Sequence, residues 1–208
     1  VCSSDLHHYD NSREHIFGSV ETSLRRLKTD VVDVLLIHRP SPLMDADVVA
    51  EAFGDLKAQG KVLYFGVSNF TPSQFELLAG RLSFPLVTNE IEFSARQMGA
   101  LYDGVLDLCQ RIRISPMAWG PLGHGRLLTD EGEQAVRLRG ALAEVGEMLG
   151  GAPIDQVALA WILKHPAKII PILGTGRIER MQSAVKAVDL DMTQEQWFRI
   201  LIASQGHD

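Results

Sequence analysis

Residues 31 to 40 read Val31-Val32-Asp33-Val34-Leu35-Leu36-Ile37-His38-Arg39-Pro40, a near-continuous apolar run that stops at a polar pair and a proline. Such a run, bounded in this way, is the pattern of a strand covered on both faces, as parallel sheets require. Four further runs repeat it: Val62 to Val67, Leu86 to Ile91, Ile114 to Trp119 and Ile169 to Leu173. Between them the apolar period becomes helical. Asn11 with Glu14 predicts a capping box for a helix running to about Lys28, with Ile16, Val20, Leu24 and Leu27 on one face. Val49, Ala52, Phe53 and Leu56 mark a helix from about Asp47 to Gln59, closed by Gly60 at C′. Thr71-Pro72-Ser73-Gln74 supplies an N-cap Thr, a first-turn Pro and a Gln at N3 for a helix ending near Gly80. A helix is expected over Gln97 to Gln110, with Cys109 beside Leu101, Val105 and Leu108 as a buried structural thiol. Two more are expected, over Glu133 to Leu149 and Asp155 to Lys164. After the fifth strand Ile178, Met181, Val185 and Val188 are expected to face inward, and Thr193 to cap a last helix containing Trp197 and Ile200.

Five short strands alternating with helices pair in parallel through right-handed crossovers, which leaves a (β/α) barrel or an open doubly wound sheet. Both folds put function at the C-terminal ends of the strands. Here those ends are polar or glycine-rich in every unit: His38-Arg39-Pro40, Ser68-Asn69, Asn89-Glu90, Trp119-Gly120-Pro121-Leu122-Gly123 and Gly174-Thr175-Gly176.

The composition narrows the partners. Of 208 residues 46% are hydrophobic and 22% charged, the balance of one ordinary globular domain. A net charge of -6 leaves no basic face for a nucleic-acid backbone, and no apolar stretch approaches the roughly 20 residues of a membrane span. Two cysteines, Cys2 and Cys109, make neither a disulfide framework nor a four-ligand zinc site, so no metal is expected and a reducing cytoplasm is the expected location. The chain opens on Val1-Cys2-Ser3-Ser4-Asp5-Leu6, which reads like a translated library adapter; residues 1–6 are expected to be a scar and 7–208 part of a single domain.

The doubly wound alternative is tested by Gly174-Thr175-Gly176, which follows a strand and opens a helix as a dinucleotide fingerprint does. Glu179 stands where the third glycine belongs, and no later strand supplies a ribose-binding acid. Gly123-His124-Gly125 lacks the third glycine as well. Such a turn can still hold a phosphate through backbone N–H groups and the positive helix end, with Arg177 and Arg180 adding charge.

Five segments carry a resemblance. Leu36-Ile37-His38-Arg39-Pro40, Gly60-Lys61-Val62 leading to Gly66-Val67-Ser68-Asn69-Phe70, Thr88-Asn89-Glu90-Ile91-Glu92-Phe93-Ser94, Met117-Ala118-Trp119-Gly120-Pro121-Leu122-Gly123 and Ile170-Pro171-Ile172-Leu173-Gly174-Thr175 resemble the aldo-keto reductase family, in order and at similar intervals. The similarity runs over residues 7 to 208 and is nearest to the family's bacterial oxidoreductases. It implies an α/β fold, a (β/α)8 TIM barrel of which this chain holds about five C-terminal units, strands 4 to 8. It also implies NADPH lying extended across the C-terminal rim, and an oxidoreductase reducing small aldehydes or ketones.

Carried over residue by residue, the resemblance makes His38 the catalytic histidine that positions the substrate carbonyl; by itself it could equally be a capped strand end. Ser68 and Asn69 match the pair that holds the nicotinamide carboxamide. Glu90 stands where the family usually has Gln, and an ionised carboxylate can accept but not donate there. Trp119 matches the aromatic that stacks on the nicotinamide. Gly120, Leu122 and Gly123 match the loop over the pyrophosphate, with Gly125 and Arg126 beside it. Gly174, Thr175, Gly176 and Arg180 match the turn and arginine that hold the 2′-phosphate and favour NADP over NAD.

The family's Tyr acid, Lys and Asp have no match here: Tyr9 precedes the first helix, Tyr64 lies inside a strand and Tyr102 in a helix. Three units of some 30 residues each would supply them. The chain by itself is therefore expected to bind cofactor better than it reduces carbonyls, and to aggregate through its unpaired sheet edges. A cofactor-sensing module and an inert fragment are the alternatives.

Overall fold

The computed structural model describes residues 9–207, so the expected scar at residues 1–6, with Cys2, lies outside them. Parallel strands alternate with helices throughout, the α/β class expected. The residues fall into two units, one ending at Glu90 and the other starting at Ile91.

In the first unit α1 (Arg13–Leu27), β1 (Val32–Ile37), α2 (Ala46–Ala58), β2 (Val62–Ser68), α3 (Pro72–Ala79) and β3 (Leu86–Glu92, its last two residues passing into the second unit) follow in order. β1 pairs β2 from Val32↔Val62 to Ile37↔Val67, and β2 pairs β3 from Phe65↔Leu86 to Ser68↔Glu90. The ends of β1 and β2, at His38 and Asn69, therefore lie level with Glu90 near the end of β3. Their close approach depends on Gly66, where an added Cβ would lie 2.6 Å from Leu36 Cδ2 and 2.8 Å from the Thr88 carbonyl oxygen. Phe53 stacks on Phe65 with centroids 4.3 Å apart, and Leu56, Val62, Val67 and Leu78 complete the buried centre.

The helix signals at Gly60 and Thr71 are as expected: Gly60 sits at φ 69°, and Thr71 with Gln74 forms a complete capping box. The signal at Asn11 is displaced by one residue. Ser12 is the N-cap, its hydroxyl accepting from His15 N at 3.2 Å, because the Asn11 side chain is taken by Ser41 N, 30 residues away. Full burial of the strands is also corrected. Val34 and Tyr64, partners across β1 and β2, are 43% and 55% exposed.

The second unit holds α4 (Val105–Ile112), β4 (Met117–Trp119), α5 (Arg126–Thr129), α6 (Glu133–Met148), α7 (Ile154–Leu163), β5 (Ile170–Pro171), α8 (Ile178–Val185) and α9 (Gln194–Gln205). β4 pairs β5 at Met117↔Ile170, and Ile172 N extends the ladder to Ala118 O at 2.8 Å. The Trp161 ring, fully buried, stacks on Phe93 at 5.4 Å and on Trp197 at 4.8 Å, nearly parallel to the latter. Each indole N–H of the Trp pair donates to the other residue's backbone carbonyl, at 3.1 and 3.0 Å.

Two expectations fail here. The helix expected over Gln97 to Gln110 is broken into a single 3-10 turn at Gly99–Leu101 and α4, because Gly104 takes φ 83° and Asp103 Oδ1 accepts from Val105 N. The stripe Ile178, Met181, Val185 and Val188 faces outward, Ile178 and Val188 being 66% exposed. α8 instead turns its small face inward: Ser183 accepts from Gln156 Nε2 at 2.9 Å, and Ala184 packs on the core.

Cys109 is fully buried, as expected, and burial, followed by the charge of Asp103, pushes its thiol up to about 11. His165, whose Nδ1 accepts from Ala167 N and whose ring meets Phe93 edge-on, is held below the ordinary imidazole range by burial, with Asp107 opposing. The folded state thus favours neutral His165. Its contribution to stability is complete above 6.5, the ordinary value, and is lost as pH falls below it and through the lowered folded-state pKa. Melting temperatures taken from roughly pH 7 to 5 should decline, and His165→Gln should flatten that slope.

Candidate functional site

In the first unit the site is built at the ends of β1, β2 and β3. His38 follows Ile37 directly and is exposed, with its ring centroid 6.4 Å from that of Tyr9 in an edge-on contact. Ser68 is buried at the last position of β2, and Asn69 takes the left-handed backbone at φ 60°, a conformation Asn tolerates better than most residues. Asn69 Nδ2 donates to Ser68 Oγ at 2.7 Å and reaches the His38 carbonyl at 3.5 Å, while Asn69 N donates to Glu90 O at 2.7 Å. The Ser68 hydroxyl, accepting from Asn69, keeps its own proton to donate. Four residues singled out from the sequence, His38, Ser68, Asn69 and Glu90, are thereby brought to one end of one sheet.

The turn is held from below by Asn89, which the sequence places at a polar strand end without a role of its own. Its side-chain amide, fully buried, donates to Phe70 O at 2.8 Å and accepts from Phe70 N at 3.4 Å, copying a strand partner for a residue outside the sheet. Tyr9, which precedes the first helix and does not match the family's Tyr acid, also comes close to this site. It lies against His38 and lines a largely apolar hollow of about 750 Å³ with Asn11, Pro42, Leu43, Met44 and Val48.

In the second unit a cavity of about 650 Å³ takes residues from three segments, one of them α7, which supplies Asp155 and Leu159. Gly120, Leu122 and Gly125 line it from the loop after β4, and Gly174, Thr175 and Arg180 from the turn into α8. The loop is a tight coil: Gly123 N donates to Gly120 O and Gly125 N to Leu122 O, with φ of 62°, 56° and 80° at Gly120, Gly123 and Gly125. Gly123 is buried and does not line the cavity, and a Cβ there would stand 3.2 Å from Arg96 Cδ. Trp119 is half-buried at the end of β4, its ring 5.4 Å from that of His124, and His124 Nε2 meets Glu92 Oε1 at 3.2 Å.

Arg126 and Gly176 are exposed and do not line the cavity. Arg126 stands near Asp130, whose carboxyl is held below its usual range by the Gly132 N–H and by a hydrogen bond from Arg96, with the charges of both arginines adding. The two arginines of the α8 turn differ. Arg177 pairs with Glu179 at 3.9 Å and its N–H is taken by Thr175 Oγ1, whereas Arg180 lines the cavity with no ion pair among the described residues. Among the described residues no group of three or more His, Cys, Asp or Glu side chains could hold a metal, and no helix is long and apolar enough to cross a membrane.

The model of the Aldo/keto reductase family matches residues 3–204. The chain belongs to this family. Oxidoreductase YdhF of Escherichia coli is 53% identical to this aldo/keto reductase chain over 201 residues, covering 97% of it and 67% of the relative. A 6-dehydroglucose reductase of Agrobacterium fabrum is 44% identical over 208 residues, covering 99% of the chain and 68% of the relative. Among solved structures, a thermostable aldo-keto reductase, Tm1743, crystallised with the inhibitor epalrestat, superimposes with a TM-score of 0.83 at 29% identity, over 92% of this chain and 67% of that one. The aldo/keto reductase chain thus spans about two thirds of the length of these relatives. Family membership gives the reaction class, oxidoreduction at the carbonyl of a small molecule.

A nicotinamide dinucleotide fits the groups present. An apolar wall formed by Leu122, Leu128, Leu159, Ile172 and Leu173, with the Arg180 guanidinium unpaired among the described residues, suits a purine nucleoside carrying a phosphate.

Proposed function

We propose that this chain is part of a (β/α)8 barrel reductase that binds NADPH and presents its nicotinamide to an aldehyde or ketone. The cavity of the second unit carries this reading, because it draws Gly120, Leu122 and Gly125 together with Gly174, Thr175 and Arg180, the two stretches matched to the dinucleotide. The tight glycine loop is the pyrophosphate cover, and Arg180 is the partner of the 2′-phosphate. In the first unit Ser68 donates to the carboxamide oxygen, Asn69 shares its recognition, and Glu90 accepts from the carboxamide NH₂. Trp119 supplies an aromatic face to the ring. When bound, the reduced nicotinamide supplies the hydride.

His38 orients the carbonyl by hydrogen bond, and the apolar hollow beside Tyr9 takes the rest of the substrate. The relative named as a 6-dehydroglucose reductase supports a small carbonyl compound in that role. No tyrosine of the described residues stands at the end of a strand beside a lysine, so protonation of the developing alkoxide is not assigned to this chain, and turnover by it alone is expected to lag behind binding. A reducing cytoplasm suits its two cysteines.

Titration with NADPH, followed by nicotinamide fluorescence, tests the reading. Saturable binding is expected, and Arg180→Gln should weaken it about ten- to a hundredfold, as loss of a charge-assisted bond does. Absence of binding, or binding indifferent to Arg180, would overturn it.

A further inference from the structure

Arg180 shares its cavity with an opposite charge. Asp155, in the first turn of α7, lines the same wall, and among the described residues neither side chain has a hydrogen-bond or ion-pair partner. Elsewhere in the unit Arg96 pairs with Asp130, Arg137 with Glu133, Arg177 with Glu179 and Arg199 with Glu144. The remaining titratable group on the cavity wall, His124, is already engaged with Glu92. A half-buried carboxylate and a guanidinium left apart in one cavity ask for opposite things: the first a hydroxyl or N–H donor, the second an anion.

The two dinucleotides differ in just this respect. One carries a free ribose 2′-hydroxyl, a donor, and the other a phosphate at the same position. A phosphate attracted to the exposed Arg180 is brought to a cavity that the half-buried Asp155 also lines, where the two like charges repel. A free hydroxyl meets no such penalty and can donate to the carboxylate.

We propose that Asp155 opposes Arg180 in cofactor choice, accepting from the 2′-hydroxyl of NAD(H) and repelling the 2′-phosphate of NADP(H), so that the cavity takes both dinucleotides and the balance of the two residues sets the preference. The inference rests on reading this cavity as the adenosine end of the cofactor site. It makes Asp155 a determinant of specificity that no sequence motif marks.

The test is calorimetric titration of the full chain with NAD⁺ and NADP⁺, so that binding is read without turnover. Asp155→Asn should tighten NADP⁺ about three- to tenfold and weaken NAD⁺ by a similar factor. Arg180→Gln should do the reverse, weakening NADP⁺ while leaving NAD⁺ within about twofold. Asp155→Ser, which keeps a short oxygen in the first helical turn, should reproduce the shift and separates it from misfolding. If Arg180→Gln weakens NADP⁺ but neither Asp155 variant moves the ratio of the two affinities, the proposal fails and the cofactor reading stands. If the unaltered chain binds neither dinucleotide, both fail together.

Discussion

Trp161→Ala is expected to destabilise the second unit by about 3–5 kcal/mol, measured as a shift in the urea midpoint at unchanged slope. The indole is completely buried and is sandwiched by Phe93 and Trp197, so truncation leaves a cavity that rigid aromatic neighbours cannot close. It also removes the hydrogen bond from Trp161 Nε1 to the Trp197 carbonyl, which keeps its bond within α9. Trp161→Phe keeps the stack and most of the volume and loses the donor, so it should cost about 1–3 kcal/mol. A loss below about 1 kcal/mol for the alanine variant would mean that the unit is not organised around this ring.

Asn89→Ala should cost about 2–4 kcal/mol and lower cofactor affinity together with stability. One buried amide satisfies both backbone groups of Phe70, and its removal leaves an N–H and a C=O without partners beneath the turn that presents Ser68 and Asn69. Asn89→Asp discriminates further. A carboxylate still accepts from Phe70 N but places an oxygen against Phe70 O, so it should be no better than alanine despite its matching size. Denaturation curves and NADPH titration of the same preparations provide the check. Retention of full affinity in a destabilised Asn89→Ala protein would show that the turn keeps its shape without this support.

Local signals in the sequence were read well where the chain satisfies itself locally. The capping boxes at Thr71 and Thr193 are complete, and Gly60 takes the positive φ required after a helix. Reading failed where a distant partner decides. Asn11 has the chemistry of an N-cap, but Ser41 claims its side chain and Ser12 caps instead. The apolar stripe of α8 has the period of an inward face, yet Ser183 and Ala184 are the residues turned toward α7 and the core, since small side chains permit the close approach. Gly104 was legible in principle, because Asp103-Gly104 is a turn dipeptide inside a supposed helix.

The candidate site divides in the same way. His38, Ser68, Asn69 and the glycine-rich stretches stand at strand ends, which periodicity locates. Asn89 stands at such an end too, but its position does not show that its amide holds a residue 19 positions back, and Asp155 reads as an ordinary first-turn acid. Only their surroundings distinguish them.

Burial of Cys109 has a consequence for the chain's life among oxidants. With its thiol pushed up to about 11 and its side chain fully buried, Cys109 is almost wholly protonated at neutral pH and shielded from peroxide and from thiol partners. The only sulfhydryl of the second unit is thus deaf to the redox poise that sets the ratio of reduced to oxidised nicotinamide. Under the cofactor reading proposed above, the supply of reductant can vary while this thiol stays reduced.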